Sequence, residues 1–364
     1  MKSFNIFIWT SDCENFTGEG LLARSFIKKI FKNNNKVRIF SNNNDFVFNF
    51  GKFSLIKKKD SKNSFIDKYF KLYYGIFLIW YYHLKGKKTA YVNYLPLWNF
   101  LIFVLLPKKT ILGPITGGVH YNNKQILSKI IRKIFFPYLY KFSVKILFYR
   151  YKCAFFSTSM LKRYVPRKYL KRCVFNLALL AYQSNTTQII KKDIDFIFYY
   201  KRHPNKSNDF IINIIDLLLL KKYKIYIVGD FLPKKNVINL GVLAKEKLLI
   251  YLRKSKFSIN NGENFLSLFA LDCYASKTII FYNNLLDFNE RLFNAKYFVP
   301  INFSNIKSAY KRINSIIRKR KFFIKFDDAK IINKRKQIES CVLNLLPDNF
   351  YNYSDRSKFT QGTF

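Results

Sequence analysis

Acidic residues are scarce in this chain. Against 65 Lys and Arg it sets 21 Asp and Glu, which leaves a formal net charge of +44 and a pI of about 10.0. Such an excess draws a protein toward negatively charged partners: nucleic acid, anionic lipid or a phosphate-bearing substrate. Compositional drift is a second origin. The chain is also full of Asn, Ile, Phe and Tyr, as AT-rich codon usage gives, and Lys is scattered along its whole length instead of gathered in one stripe. Cysteine is sparse as well. Cys13, Cys153, Cys173, Cys273 and Cys341 are odd in number and no two form a CxxC pair, which argues against a disulfide framework or a zinc site and fits a reducing cytoplasm. No metal site and no cofactor is expected. The 12 glycines never fall into GxGxxG, so nicotinamide binding has no support.

Long apolar runs are lacking too. The first residues, MKSFNIFIWTSD, hold an apolar run too short for a secretory h-region and no small-residue cleavage site, which gives the expectation of a cytoplasmic protein. Two inner stretches, Leu72 to Leu84 and Tyr94 to Leu106, fall well short of the ~20 apolar residues that a spanning helix needs. Each reads either as a buried core helix or as a helix lying in one leaflet, with Trp and Tyr at headgroup level and Lys on phosphates. The second reading gives a peripheral position at the inner membrane face and an anionic membrane surface as partner.

What the chain does have is α/β alternation. At 364 residues with 49% apolar content, it is long enough for two domains with cores of their own. Phe4–Thr10, Lys36–Phe40, Thr89–Tyr94, Lys109–Ile115 and Cys153–Ser159 read as strands, and helix-length periodic segments such as GLLARSFIKKIF separate them. Strand, helix, strand repeated in this way implies parallel strands with right-handed crossovers. The pattern breaks in the polar stretch from Ala181 to Lys192, the expected linker. It restarts with strands at Asp193–Tyr200, Lys222–Asp230 and Asn236–Gly241, then FSINNGEN and KTIIFYN, with helices between them. The expected domains are residues 1–180 and 181–346, followed by a tail at 347–364.

Ligands of open α/β sheets sit at the carboxyl ends of the strands, and three segments there stand out. After the first strand, SDCENFTGEG places Gly18, Glu19 and Gly20 where a helix begins, and helix amides favour an anion; a plain strand-to-helix turn is the bland alternative. After Tyr200, KRHPNKS gathers Lys201, Arg202 and Lys206 at a strand tip, suited to neutralising a diphosphate leaving group, or else a solvated basic turn. In NNGENFLSLFALDCYAS, Glu263 and Asn264 stand where a strand hands over to a helix, and Asp272 lies deeper on that helix. A carboxylate there holds sugar or ribose hydroxyls, or caps the helix.

In their order and spacing these segments resemble retaining GT-B glycosyltransferases of the group 1 (family 4) type, over roughly Phe4 to Arg320. YKRHPNKS is similar to the family's GRLxxxKG strand end, with Lys201 at the Arg position and Lys206 at the Lys position. KIYIVGD resembles its IVGDG strand end, and GENFLSLFALDCYASKTII its EGFGLPxLEAMAxGxPVI segment. GEGLLAR resembles the glycine-bearing acceptor loop, and GPITGGVH the GPvGGG turn. Three departures stand out. The family's second Glu is Leu271 here, with Asp272 one residue on and so about 100° around the helix. Lys at 201 gives up bidentate geometry toward phosphate. Ser276 replaces the helix Gly.

The resemblance implies two Rossmann-like domains facing each other across a cleft. The second would bind a nucleotide-sugar donor, and the first a glycan or lipid-linked acceptor. It implies Glu263 orienting the donor sugar, Lys201 and Lys206 with the amides of Gly18 and Gly20 at the diphosphate, and Asp272, Glu19 and Asn264 at nucleotide and sugar hydroxyls. His120, just past Gly117 and Gly118, becomes a candidate for holding acceptor or sugar hydroxyls. No metal is implied and no nucleic acid is expected. The alternatives are a catalytically degenerate sugar-binding or scaffold protein of the same fold, motivated by the missing second Glu, and a nucleic-acid-binding protein driven by the charge.

Overall fold

The computed structural model describes residues 4–10, 13, 18–34, 36–41, 44–49, 51–58, 65–93, 95–117, 134–184, 191–202, 208–260, 265–286, 292–319 and 328–346. The chain forms two compact units. Unit 1 is Met1–Gly117, Lys133–Ala181 and Lys336–Phe364; unit 2 is Gly118–Arg132 and Tyr182–Arg335.

Unit 1 contains β1 (Ile6–Trp9), α1 (Gly18–Ile30), β2 (Val37–Phe40), β3 (Asn44–Asn49), β4 (Lys52–Lys58), α2 (Phe65–Leu84), β5 (Lys88–Tyr91), β6 (Leu95–Pro96), α3 (Phe100–Leu105), β7 (Ile111–Leu112), β8 (Ile115–Thr116), α4 (Phe136–Arg150), β9 (Ala154–Phe155) and β10 (Cys173–Val174). Its main sheet runs β4-β3-β2-β1-β5-β7. β1 is buried along its length between parallel β2 and β5, which is why it reads as an unbroken apolar run. Phe7 and Trp9 point to one face, where Phe7 meets Tyr82 of α2 at 4.1 Å between ring centroids. Gly75 brings α2 this close: a Cβ there would lie 2.1 Å from Nε1 of Trp9.

The strands expected in this half pair parallel, and one edge adds an antiparallel hairpin. β3 pairs antiparallel with β2, and β4 antiparallel with β3. Only three residues separate β2 from β3, too few for the crossover that a parallel pair needs. The exposed Lys52 on β4 helps guard the outer edge against further pairing. The expected strand at Lys109–Ile115 is divided into β7 and β8, and the stretch from Tyr94 to Leu106 yields β6 and α3 in place of one helix.

Unit 2 contains β11 (Ile194–Tyr200), α5 (Asn208–Leu219), β12 (Ile225–Gly229), β13 (Val237–Gly241), α6 (Lys245–Lys254), β14 (Ser255–Asn260), α7 (Leu268–Ala275), β15 (Ile279–Asn283), β16 (Phe298–Ile301) and α8 (Ile306–Lys319); α9 (Ala329–Leu345) begins here and ends in unit 1. The sheet order is β13-β12-β11-β14-β15-β16, with every pair parallel. Counted from β11 this is 3-2-1-4-5-6, the doubly wound order of dinucleotide-binding domains. Phe196, Phe257 and Phe281 carry one aromatic row across three strands, at centroid spacings of 5.3 and 5.7 Å.

At the amino end of this sheet, the partly buried Lys192 donates to the carbonyls of Ser255 (2.6 Å) and Ser276 (3.3 Å). Burial pushes its ammonium down to about 8 from the ordinary 10.5, with Lys277 adding to the shift and Cys273 opposing it. The unfolded chain therefore binds more protons between about 8 and 10.5, and stability rises with pH across that window; below about 8 the cost is fully present. Relative to the parent, Lys192→Met is expected to gain roughly 2 kcal/mol on going from high pH to neutral pH, after allowance for solvent screening. Urea unfolding of both proteins near neutral pH and above pH 10 measures it. A difference that stays constant with pH rules the titration out.

Candidate functional site

In unit 2 the order of strands reverses between β11 and β14, and the crevice outside their carboxyl ends is where doubly wound sheets take ligands. Phe198 stands opposite Ile259 in the register, so β11 and β14 end within two residues of this pair, at Tyr200 and Asn260. β11 delivers Lys201 and Arg202. These residues are held in place: the Arg202 amide donates to Oδ2 of Asp230 at 2.7 Å, the Arg202 guanidinium to the Phe231 carbonyl at 3.3 Å, and the Asn208 amide group to the Lys201 carbonyl at 2.9 Å. β12 meets the same edge, where the Asp230 amide donates to the Tyr200 carbonyl at 2.9 Å. On the other side of the switch point, β14 ends at the buried Asn260. Ser267 donates to Oδ1 of Asn260 at 3.1 Å and accepts from the Ala270 amide at 3.2 Å, capping α7. Cationic side chains on one side and a helix amino end on the other form an arrangement suited to phosphate.

In unit 1, Gly18, Glu19 and Gly20 form the first turn of α1, with Gly18 and Glu19 exposed and Gly20 buried. Glu19 lines a small cavity with Leu22, Ala23, Val92, Asn93, Pro114 and Thr116, at the carboxyl ends of β5 and β8. Its volume, about 20 Å³, admits a water or a single hydroxyl. The buried hydroxyl oxygens of Thr10 and Thr116 have no hydrogen-bond partner among the described residues. Both belong to this carboxyl edge, Thr10 following β1 and Thr116 ending β8.

Asp272 lies one turn into α7, its side chain 6% exposed, with Oδ1 at 3.0 Å from Nζ of Lys245 at the start of α6. Burial pushes the Asp272 carboxyl up, and Lys245 partly offsets it. Leu271 is buried in the same helix, and Ser276 forms its carboxyl-terminal cap. His120, Lys206, Glu263 and Asn264 lie outside the described residues. The structure thus assembles Lys201 with Arg202, Asp230, Asn260 and Ser267 at one sheet edge, and sets Asp272 in an ion pair between two helices. Asp230, Asn260 and Ser267 are not singled out by the sequence reading. The Gly-Asp step that ends the strand at 225–229 is the signal that marks Asp230.

Burial raises the thiols of Cys153 to about 11 and of Cys173 to about 12, and raises that of Cys273 too, which keeps these three protonated and unsuited to nucleophilic or metal-binding work at neutral pH. Among the described residues no cluster of His, Cys, Asp and Glu is arranged to hold a metal ion.

No family model matches the sequence, and no curated protein matches it. Solved structures do match over nearly the whole length. A sucrose-phosphate synthase from Thermosynechococcus elongatus is 12% identical and aligns over 94% of this chain and 95% of its own, with a TM-score of 0.56. A UDP-N-acetylglucosamine 2-epimerase from Rickettsia bellii is 9% identical over 94% and 96%, with a TM-score of 0.54. The shared feature is the fold: an α/β protein of GT-B type built from two Rossmann-like units.

Proposed function

We propose that the protein is a glycosyltransferase that moves a sugar from a nucleotide-sugar donor to a lipid-linked or surface-polysaccharide acceptor, with retention and without a metal. One observation carries the reading. The 3-2-1-4-5-6 order of unit 2 sets the cationic tip after β11 and the capped amino end of α7 on either side of its switch point. Lys201, with Lys206, holds the donor diphosphate. Glu263 and Asn264 orient the donor sugar, and Asp272 supports that helix from below. The first turn of α1, with Gly18, Glu19 and Gly20, and His120 serve the diphosphate and the acceptor or sugar hydroxyls. In the transfer, an acceptor hydroxyl forms its bond to the anomeric carbon on the face that the diphosphate leaves. The bond to the phosphate oxygen breaks, and the hydroxyl proton passes to that oxygen. Lysine charge at the strand tip stabilises the departing diphosphate.

Titration calorimetry with UDP and GDP tests the site. The parent is expected to bind one of them. Lys201→Ala should weaken that binding about tenfold or more while leaving the melting temperature within a few degrees, because the side chain is not part of the core. Glu263→Gln should keep nucleotide binding and lower transfer by about a hundredfold. Absence of binding to either nucleotide by the parent rejects the assignment. Interconversion of UDP-N-acetylglucosamine at C2, with no transfer to any acceptor, replaces it with an epimerase, since one of the similar structures is an epimerase. Nucleotide binding with neither donor hydrolysis nor transfer supports the degenerate sugar-binding reading.

A further inference from the structure

We propose that the outer face of α2, α3 and α4 in unit 1 docks onto an anionic lipid surface. α2 turns Gly75, Ile76 and Ile79 inward, while Tyr73, Phe77, Trp80, Tyr81 and Leu84 recur at helical spacing on the opposite side, Phe77 63% and Leu84 78% exposed. α3 exposes Leu101, Val104 and Leu105. α4 exposes Tyr138, Phe142 and Tyr149, interleaved with exposed Lys141 and Lys145. The three helices form one surface. Nε1 of Trp80 donates to the Leu105 carbonyl at 2.7 Å; Phe100 meets Phe142 edge-on at 5.1 Å; and the Arg150 guanidinium donates to the carbonyls of Phe103 and Leu106 at 2.9 and 2.8 Å. Scattered exposed apolar residues are ordinary, but such a run across three adjoining helices marks an interaction surface.

Charge selects the occupant. No Asp or Glu occurs between Asp67 and Asp193, a stretch that holds twenty-three Lys and Arg. The rim follows suit: Lys85 sits 4.2 Å from the ring of Tyr81 and Lys108 5.9 Å from the ring of Tyr149, with their ammonium groups at the edge of the apolar face. Two copies of this face would oppose like charges, which disfavours self-association. Leu84, Leu101, Val104 and Leu105 offer no ring on which a base could stack, yet they suit acyl chains, while Trp, Tyr and Lys suit the headgroup layer. Among the described residues no helix is long and apolar enough to cross a membrane, so these helices lie along the surface. The inference deepens the reading of a lipid-linked acceptor, but its test uses no donor and no acceptor, so the two fail separately.

The chain carries its own probes. Of its three tryptophans, Trp9 is buried, whereas Trp80 on α2 and Trp98, stacked on Phe136 at the start of α4, are each 39% exposed. Binding is measured with vesicles of phosphatidylcholine, alone or mixed with phosphatidylglycerol, and with a brominated-lipid counterpart. The parent is expected to bind the mixed vesicles, less tightly as salt rises, and brominated acyl chains should quench its fluorescence. The triple variant F77S/Y138S/F142S should lower partitioning at least about tenfold while keeping the melting transition and any nucleotide affinity of the parent. A charge-reversed control on unit 2, K311E/R318E, should keep the quenching. Failure of the parent to bind the mixed vesicles at near-physiological salt overturns the proposal, as does a triple variant that binds as the parent does. So does binding without quenching. A dimer abolished by the triple variant, or displacement from vesicles by single-stranded RNA, would assign the face to another partner.

Discussion

Gly229→Ala is expected to destabilise unit 2 by about 3 kcal/mol or more, whereas Gly241→Ala, twelve residues on at the end of the next strand, should cost about 1 kcal/mol. Both glycines have positive φ, +107° and +69°, so both substitutions force a side chain into a backbone region it disfavours. They differ in space. Nothing lies within 4 Å of a Cβ at Gly241, but a Cβ at Gly229 would stand 2.2 Å from the Tyr200 carbonyl oxygen. That oxygen is backbone, held in place by the Asp230 amide, and has no flexible end to swing aside. Relief requires β11 and β12 to part at their carboxyl ends, where Lys201 and Arg202 emerge. Loss of stability should therefore come with loss of nucleotide affinity in Gly229→Ala and not in Gly241→Ala. Urea unfolding of the two variants beside the parent decides it, and equal midpoints would mean that the two strand ends are not packed as described.

The same strand ends show what the sequence discloses and what it conceals. Buried strands of a parallel sheet are continuous apolar runs, so β1, β11, β12, β14 and β15 are legible, and the tips that follow them point to Lys201. Short or interrupted strands are not. β16 is four residues with Pro300 in it, tolerable because β16 lies at the sheet edge. Gly113 and Pro114 break the expected strand at Lys109–Ile115 into two. The hairpin of β3 and β4 lies in a stretch rich in Asn and Lys, which obscures its strand pattern.

α2 is apolar on every side, and periodicity cannot say which side of such a helix is covered; only the position of Trp9 against Gly75 does. Charge deceives in a similar way. Lys is evenly spread, which suggests drift, but the gap in acids from 68 to 192 is visible only when acids are followed alone. For Asp272, the sequence gives its rotation from the family's second Glu. Its partner, Lys245, is twenty-seven residues earlier, and only the packing of α6 on α7 brings the two together.

That pair gives the second large effect. Asp272→Ala is expected to cost about 3–5 kcal/mol, because it breaks a buried ion pair, Oδ1 of Asp272 lying 3.0 Å from Nζ of Lys245 with the two side chains 6% and 11% exposed. The double variant Lys245→Met/Asp272→Leu should recover most of that loss, since two apolar groups of similar size need neither charge nor hydrogen bond in the interior. Chemical denaturation of the parent, both single variants and the double variant closes the cycle, and a double variant as unstable as Asp272→Ala would show that the ion pair is not what holds α6 to α7. The cycle also separates two roles for the carboxylate. If Asp272 only supports the helix beneath the switch point, the recovered double variant binds UDP or GDP as the parent does. If it also reaches a ribose hydroxyl, affinity stays low although the fold has returned. A stable double variant divides packing from recognition where neither single variant does, because each single variant disturbs the amino end of α7 and the ligand edge together.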